Sequence, residues 1–551
     1  MIIRDTPADI SGAPAQRILV CIYSWYYLRH IRPALEVLAD RGHRLHLISL
    51  LDDGPDFRCS VEELIARYSN ITYQDGPERN DEWRERTLVL RQTQCWLQSQ
   101  EPRFDQACRD SDTRRLNGRQ PAFMERPFFK RPIGRELAWR ALRRVDRALP
   151  RDPAIDGVFA YFQPDVMIIT PLIDRSGAMW DYIHSARAFG TRTVFPVHSW
   201  DNLSSKARIN VMPDRLLVWN ETQVQEAVQF HRVPSNRIVL TGAQGFDEFF
   251  AMQPSTTRDG FCARLGLRQD RPILLYVCSA ILKRHVSREI ATSIRPELAY
   301  FTRWITELRA SDDVRIREAN VVIRPHPKRQ DHWDDVELSP WGTNVVVHPR
   351  RGHLPNSQAS KEIFFDSLFH ADIVMGLNTS AMIEAAILSR PVMTVMDDNF
   401  RGGQEDMQHF QYLLMIGGGL LVRTRRWSEH VAQLEKLLHQ PEQARLQAKK
   451  FAETFLRPRG RDRAAAPHVA DAILEVAAIG PCRRRRRALF DKLITSLIAR
   501  WQPQIRSLPK QWTQAELEAK RQRRVERRLA AKASQGTVRT ESPCKSDSVT
   551  R

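Results

Sequence analysis

Three short stretches hold side chains whose types and spacing suit phosphate and hydroxyl chemistry. In the first, the apolar run Ile373-Val374-Met375 leads into Gly376-Leu377-Asn378-Thr379-Ser380 and then Ala381-Met382-Ile383-Glu384, text of strong helix propensity. A loop feeding a helix start presents unpaired N–H groups. With the Asn378, Thr379 and Ser380 side chains beside them it can receive a diphosphate, and Glu384, one turn in, can bond ribose hydroxyls. The bland alternative makes Ser380 an N-cap. It does not account for Glu384, which lies four residues on where a capping box needs three.

In the second stretch, Val321-Val322-Ile323-Arg324-Pro325-His326-Pro327-Lys328, two prolines stiffen a strand exit and fix the directions of Arg324 and His326. A cation and a donor held this way suit a phosphate group; the alternative is a plain strand end. The third stretch is His198-Ser199-Trp200-Asp201-Asn202-Leu203-Ser204-Ser205-Lys206, after the run Val194 to Val197. His198 and Asp201 there are candidates for a general base and its orienting partner on an acceptor hydroxyl. Otherwise Asp201 caps a short helix and His198 is a core residue.

All three follow apolar strand text, which leads back to the elements that carry them. Arg17 to Tyr23, a helical pattern through Leu28, Ile31, Leu35 and Leu38, Gly42 at the helix end and His43 to Leu50 read as strand, helix, strand. The alternation resumes at Pro164–Thr170, Thr193–Val197, Arg215–Trp219 and Arg237–Gly242. It restarts at Pro272–Val277, Asn320–Arg324, Asn344–Val347, Asp372–Gly376, Pro391–Val395 and Leu420–Val422. The fold class is therefore α/β, with two Rossmann-like doubly wound domains around a cleft. The expected limits are 1–255 with an Arg-rich helical insertion at about 80–150, 256–480, and a basic tail at 481–551, with the polar stretch Met252 to Asp270 as linker.

Composition narrows the class further. At 551 residues with 42% hydrophobic and 27% charged residues, the chain is long enough for several globular domains, which rules out a small disulfide scaffold. The net charge of +19 is concentrated: residues 481–551 hold 19 Lys and Arg against 6 Asp and Glu. Eight scattered cysteines without a CxxC pair read as reduced thiols, and zinc spacing is missing. The first residues carry no apolar core of signal length, and no run reaches the roughly 18 apolar residues of a membrane span. The expected location is the cytoplasm, with the basic tail against the inner face of the cytoplasmic membrane.

The three stretches, with Pro213 to Thr222 and Thr241 to Asp247, resemble the GT-B glycosyltransferase superfamily over residues 160 to 425. Within it the chain is similar to bacterial surface-polysaccharide proteins related to CDP-glycerol glycerophosphotransferases and to UDP-N-acetylglucosamine 2-epimerase-like enzymes. The resemblance implies a nucleotide-sugar donor on the second domain and a glycan or lipid-linked acceptor approaching from the first. Glu384 would hold the ribose, Thr379 and Ser380 the phosphates, and Arg324 with His326 would match the R-x-H-P turn. Gln404 and Glu405 would lie near the donor sugar. No cofactor and no metal are expected, since Asp110-Ser111-Asp112 falls in the insertion rather than after a strand.

The glycerophosphotransferases show an acidic-Tyr-Ser-Ser loop where this chain has Gly376-Leu-Asn-Thr-Ser, which favours sugar transfer. Phosphotransfer from a CDP-activated polyol, or a non-catalytic glycan- or membrane-binding role, are the alternatives. In the tail, Leu489, Phe490, Leu493, Ile494, Leu497, Ile498 and Trp501 recur at helical spacing after Arg483 to Arg487. This stripe either meets anionic lipid or packs back on the first domain. Nucleic acid is not expected as a partner, for want of a recognition module.

Overall fold

A computed structural model describes residues 14–501 and 503, apart from 52–54, 105, 117–119, 174–176, 207, 282–284, 293–294, 328–331, 351–356 and 485–487. Expectations for Lys328, the arginines 485–487 and the chain beyond 503 therefore lie outside the described residues.

The first sheet contains β1 (Arg17–Ser24), β2 (Arg44–Leu51), β3 (Ile71–Asp75), β4 (Val166–Thr170), β5 (Arg192–Pro196), β6 (Arg215–Val218) and β7 (Ile238–Leu240). Its seven strands lie in the order β3-β2-β1-β4-β5-β6-β7 and pair in parallel throughout. The second contains β8 (Ile273–Val277), β9 (Asn320–Arg324), β10 (Val345–Val347), β11 (Ile373–Gly376), β12 (Val392–Val395) and β13 (Leu421–Thr424). Its six strands, in the order β10-β9-β8-β11-β12-β13, are also all parallel. Parallel strands need helical crossovers that cover both sheet faces, and the apolar runs follow from that: every residue of β4, β8 and β9 is buried. The two sheets are those of two Rossmann-like, doubly wound α/β domains.

Strand order reverses between β1 and β4 in one sheet and between β8 and β11 in the other, and crevices for ligands open at such points. Gly376 ends β11 where a Cβ would stand 2.8 Å from the Val277 carbonyl oxygen of β8, so only glycine lets the two strand ends meet.

The insertion forms between β3 and β4 as helices Arg84–Ser99, Gln106–Thr113, Gln120–Met124, Pro127–Lys130, Pro132–Ala148 and Pro153–Phe162. It has its own small core of Leu97, Leu116, Met124, Phe129 and Trp139. Arg91 makes a buried ion pair with Asp146 inside the insertion and another with Asp181 of the first domain, each at 2.8 Å, and the second anchors the insertion to the domain. The helix Ala465–Ala478 returns to the first domain, where Ala466, Val469, Ala470 and Ile473 join the core around β1 and β4. That domain thus includes part of the chain expected in the second.

Candidate active site

The second domain's share of the site is built at the β8/β11 reversal. Ser279, just past β8, accepts at Oγ from the Asn378 N–H of the β11 loop at 3.1 Å. The Ser279 N–H in turn donates to Glu297 Oε1 at 2.7 Å. Burial pushes the Glu297 carboxyl up to about 8, with the bonds from Ser279 and Tyr276 opposing. A chain of contacts, Glu297 to Ser279 to Asn378, thus props the loop from below. Glu297→Ala is expected to leave the buried Ser279 N–H without its acceptor and to destabilise the protein by about 1–3 kcal/mol, measured by urea unfolding. An unchanged midpoint would remove Glu297 from this role.

Ser380 does not cap: it is exposed, at φ −61° and ψ −24°, and its side chain makes no capping bond to the helix Ala381–Ile387. The alternative of a side-chain N-cap is set aside, and Thr379 beside it is half-buried. Glu384 is half-buried one turn further on. Burial pushes its carboxyl up to about 7, against the pull of Arg29 and Arg324.

Arg324, the last residue of β9, is only 7% exposed. Its guanidinium lies 4.6 Å over the Phe364 ring, and Nη1 is buried with no hydrogen-bond partner. Burial lowers it to about 10, with Glu384 opposing, so it is still charged at neutral pH. Charges this buried are normally paired. The neighbouring His348 is held down to about 4 by burial and by Arg324. His326 is half-buried, and its backbone hydrogen-bonds the Cys278 thiol beside β8.

The first domain supplies the opposite wall. His198 follows β5, and its Nε2 lies 3.4 Å from Asn202 Nδ2. Its ring packs edge-on to Tyr27 at 4.8 Å and beside His30 at 5.5 Å, and its Nδ1 is buried without a partner. Burial holds His198 down to about 3, so it is neutral at physiological pH.

The expected pairing of His198 with Asp201 is not made. Asp201 turns instead to Lys206 Nζ at 2.8 Å and accepts from Ser199 Oγ at 2.7 Å. Burial pushes against it, yet Lys206 and His409 hold its carboxyl well below the usual carboxylate range. Asp201 is a fixed anion that orients Lys206, not a base. It precedes the helix Asn202–Ser205 but does not cap it by its side chain.

The two walls meet through His409. Its ring packs edge-on against Trp200 of the first domain at 4.8 Å, and its Nε2 lies 3.3 Å from Asn378 Nδ2. Asn378 Nδ2 also donates to the Gly403 carbonyl at 2.9 Å, and its Oδ1 is buried without a partner. Gln404 does not reach outward: its Nε2 donates to Thr394 Oγ1 at 3.0 Å and to the Val395 carbonyl at 3.1 Å, pinning the turn to β12. Glu405 is taken by Arg425 at 2.6 Å. The structure therefore gives these two residues turn-holding contacts.

Sequence reading missed Arg29, His30, His409, Ser279 and Glu297. Arg29 lies just beyond β1 and donates to Tyr26 OH at 2.7 Å, and its charge acts on both Glu384 and His198. Ser279 and Arg29 both follow first strands of their sheets, so the strand-end rule applied to β1 and β8 points to them. His409 and Glu297 carry no such signal.

Chemically, the cleft offers Arg324 and Arg29 to an anionic group, Glu384 to hydroxyls and a neutral His198 to a proton. Among the described residues, the metal-type side chains that cluster are Asp313, Glu435 and His439, and none of the cleft residues joins them.

By sequence the chain matches no family model and no curated protein. Among solved structures it is similar to a glycosyltransferase from Rickettsia africae at 10% identity and TM-score 0.47, covering 84% of this chain and 98% of that one. It is similar to Anabaena Alr3699/HepE in complex with UDP and glucose, at 10% identity and TM-score 0.46, covering 84% and 99%. A putative UDP-N-acetylglucosamine 2-epimerase from Listeria monocytogenes is similar at 13% identity and TM-score 0.46, covering 86% and 100%.

Proposed function

We propose that this protein is a glycosyltransferase that moves a sugar from a nucleotide-sugar donor to a cell-surface polysaccharide or its lipid-linked precursor. The observation that carries this reading is the buried Arg324 guanidinium at a strand end beside Glu384, whose Nη1 has no hydrogen-bond partner. A cation held in low dielectric gains most from a fully charged diphosphate, and gains more as charge develops on it during bond cleavage.

The acceptor hydroxyl oxygen attacks the anomeric carbon, the bond from that carbon to the diphosphate oxygen breaks, and its electron pair leaves with the diphosphate. Arg324 and Arg29 receive that charge, with Thr379 and Ser380 at the loop. The hydroxyl proton passes to His198, whose basicity rises once a diphosphate anion lies nearby. Glu384, near half-ionised at neutral pH, can accept from or donate to the ribose hydroxyls.

A panel of UDP, GDP, CDP, CMP and dTDP against the purified protein tests the reading by thermal shift. Stabilisation by one nucleoside diphosphate supports sugar transfer and identifies the donor class. The Arg324-Pro325-His326-Pro327 turn favours a second reading, phosphotransfer from a CDP-activated polyol, which releases CMP and predicts a response to CMP and CDP alone. No response to any nucleotide would leave a non-catalytic glycan-binding role. Glu384→Ala is expected to weaken binding of the stabilising nucleotide about tenfold, roughly the worth of one charge-assisted hydrogen bond. Unchanged affinity in calorimetry would sink its ribose role.

A further inference from the structure

The tail helix Leu489–Ala499 settles against the helical insertion, and it does so with its polar side. Asp491 is buried and pairs with Arg144 at 3.0 Å, and Thr495 Oγ1 donates to the Ala148 carbonyl at 3.0 Å. Ile494 and Ile498 turn inward with them. Arg86 closes the end by donating to the Ala499 and Trp501 carbonyls at 2.9 and 2.8 Å.

The rest of the apolar stripe is left facing out. Leu489 is 85% exposed, and Phe490, Leu493, Leu497 and Trp501 are also exposed. Burying Asp491 while exposing four large apolar side chains on an eleven-residue helix inverts the usual amphipathic arrangement.

The insertion continues the same surface. On its helix Pro132–Ala148, Ile133 at 76% and Leu137 are exposed one turn apart. Further along that face Arg144 pairs with Asp491 and lies 5.6 Å over the Phe490 ring, so the two apolar stripes run into each other. Exposed Phe128 extends the patch on the preceding turn. Exposed cations flank these apolar residues along the chain: Arg126, Lys130 and Arg131 beside Phe128 and Ile133, and Arg483 and Arg484 ahead of Leu489.

We propose that the insertion and the tail helix form one composite face that docks the protein on an anionic phospholipid bilayer. Large exposed apolar side chains flanked by arginines suit insertion among acyl chains with the cations at headgroup level. Charge argues against the two other occupants. A second copy would bring the same arginines against each other, and residues 504–551 carry 12 Lys and Arg against 5 Asp and Glu, so they share the sign of the face. Among the described residues no helix is long and apolar enough to cross a membrane, so the contact is a surface one. The inference does not depend on the nucleotide reading.

The test is co-sedimentation of the full chain with phosphatidylcholine vesicles, with and without phosphatidylglycerol. Wild type is expected to partition onto the anionic vesicles, and less so in high salt. Leu493→Asp with Leu497→Asp, on the tail, and Ile133→Asp with Leu137→Asp, on the insertion, should each reduce partitioning about tenfold or more. Arg126→Glu with Arg131→Glu, two exposed cations outside both helices, should also reduce it about tenfold. The proposal is overturned if wild type ignores anionic vesicles, or if only the tail variant matters. It is equally overturned if wild type is a dimer by sedimentation velocity that the Leu493/Leu497 variant converts to monomer.

Discussion

Replacing Arg324 by methionine is expected to lower the affinity for the stabilising nucleoside diphosphate at least about a hundredfold, close to 3 kcal/mol, without weakening the unliganded fold. The two halves of this result come from the same observation. Arg324 is almost fully buried, burial depresses it to about 10, and Nη1 has no partner, so the unliganded protein carries a charge it has not compensated. Such charges destabilise by several kcal/mol, while an apolar side chain of similar volume keeps the packing. Methionine can still lie against Phe364, and β9 stays closed through the Arg324 carbonyl, which accepts from the Cys278 N–H at 3.0 Å.

Thermal melting without ligand should therefore show the variant as stable as wild type or more so, and the ligand-induced shift should disappear. Strain held at a site and released by removing it is the signature of a binding group rather than a core group. If the variant instead melts early and binds nucleotide with wild-type affinity, Arg324 merely closes a strand. Arg29 makes the comparison sharper, since its guanidinium is already committed to Tyr26 at 2.7 Å and stacks on that ring at 4.4 Å. Both guanidinium groups lie over a ring, but Arg29 has a hydrogen-bond partner in Tyr26 OH and Arg324 Nη1 has none.

The two sheets were legible because apolar runs bounded by turn residues are what doubly wound strands must look like when both faces are covered. β4, β8 and β9 are the clearest cases. For the candidate site, position was legible where a residue ends or directly follows a strand, as at Arg324, Asn378 and His198. Contacts were not legible where the deciding partner is not the one that spacing suggests. Spacing puts Asp201 three residues from His198, but Lys206 outbids the imidazole for that carboxylate. Gln404 sits at a plausible distance past β12, yet its amide is spent on Thr394 and Val395. His409 and Glu297 act across contacts that only tertiary packing creates. The tail stripe had the right period, but which arc of it turned inward was decided by Arg144 and Ala148, more than 340 residues earlier.

Glu226→Gln is expected to make the protein more stable than wild type at pH 8, by on the order of 3 kcal/mol, and to leave it unchanged near pH 4.5. Glu226 belongs to the first domain, on the helix Glu221–Gln229, and accepts a short hydrogen bond from Tyr412 OH on the second domain's helix Gln408–Met415. Both side chains are buried where the domains meet, and Glu226 Oε2 has no partner. Burial pushes the carboxyl up to about 8, with the Tyr412 bond opposing and Asp201 adding to the rise. An acid whose folded-state pKa is raised stabilises fully below its unfolded pKa, and that contribution is lost as pH climbs through the folded one. The window therefore runs from about 4.5 to about 8. Buried histidines such as His231 and His430, held down to about 3 and about 4, act in the opposite direction below their unfolded pKa near 6.5. They are common to both proteins and cancel in the difference. Glutamine keeps an acceptor for Tyr412 and cannot ionise, so urea unfolding of the pair across this window should diverge steadily with pH. Parallel curves would mean that Glu226 ionises without cost in the folded state, and that the contact with Tyr412 does not tie the closure of the two domains to pH.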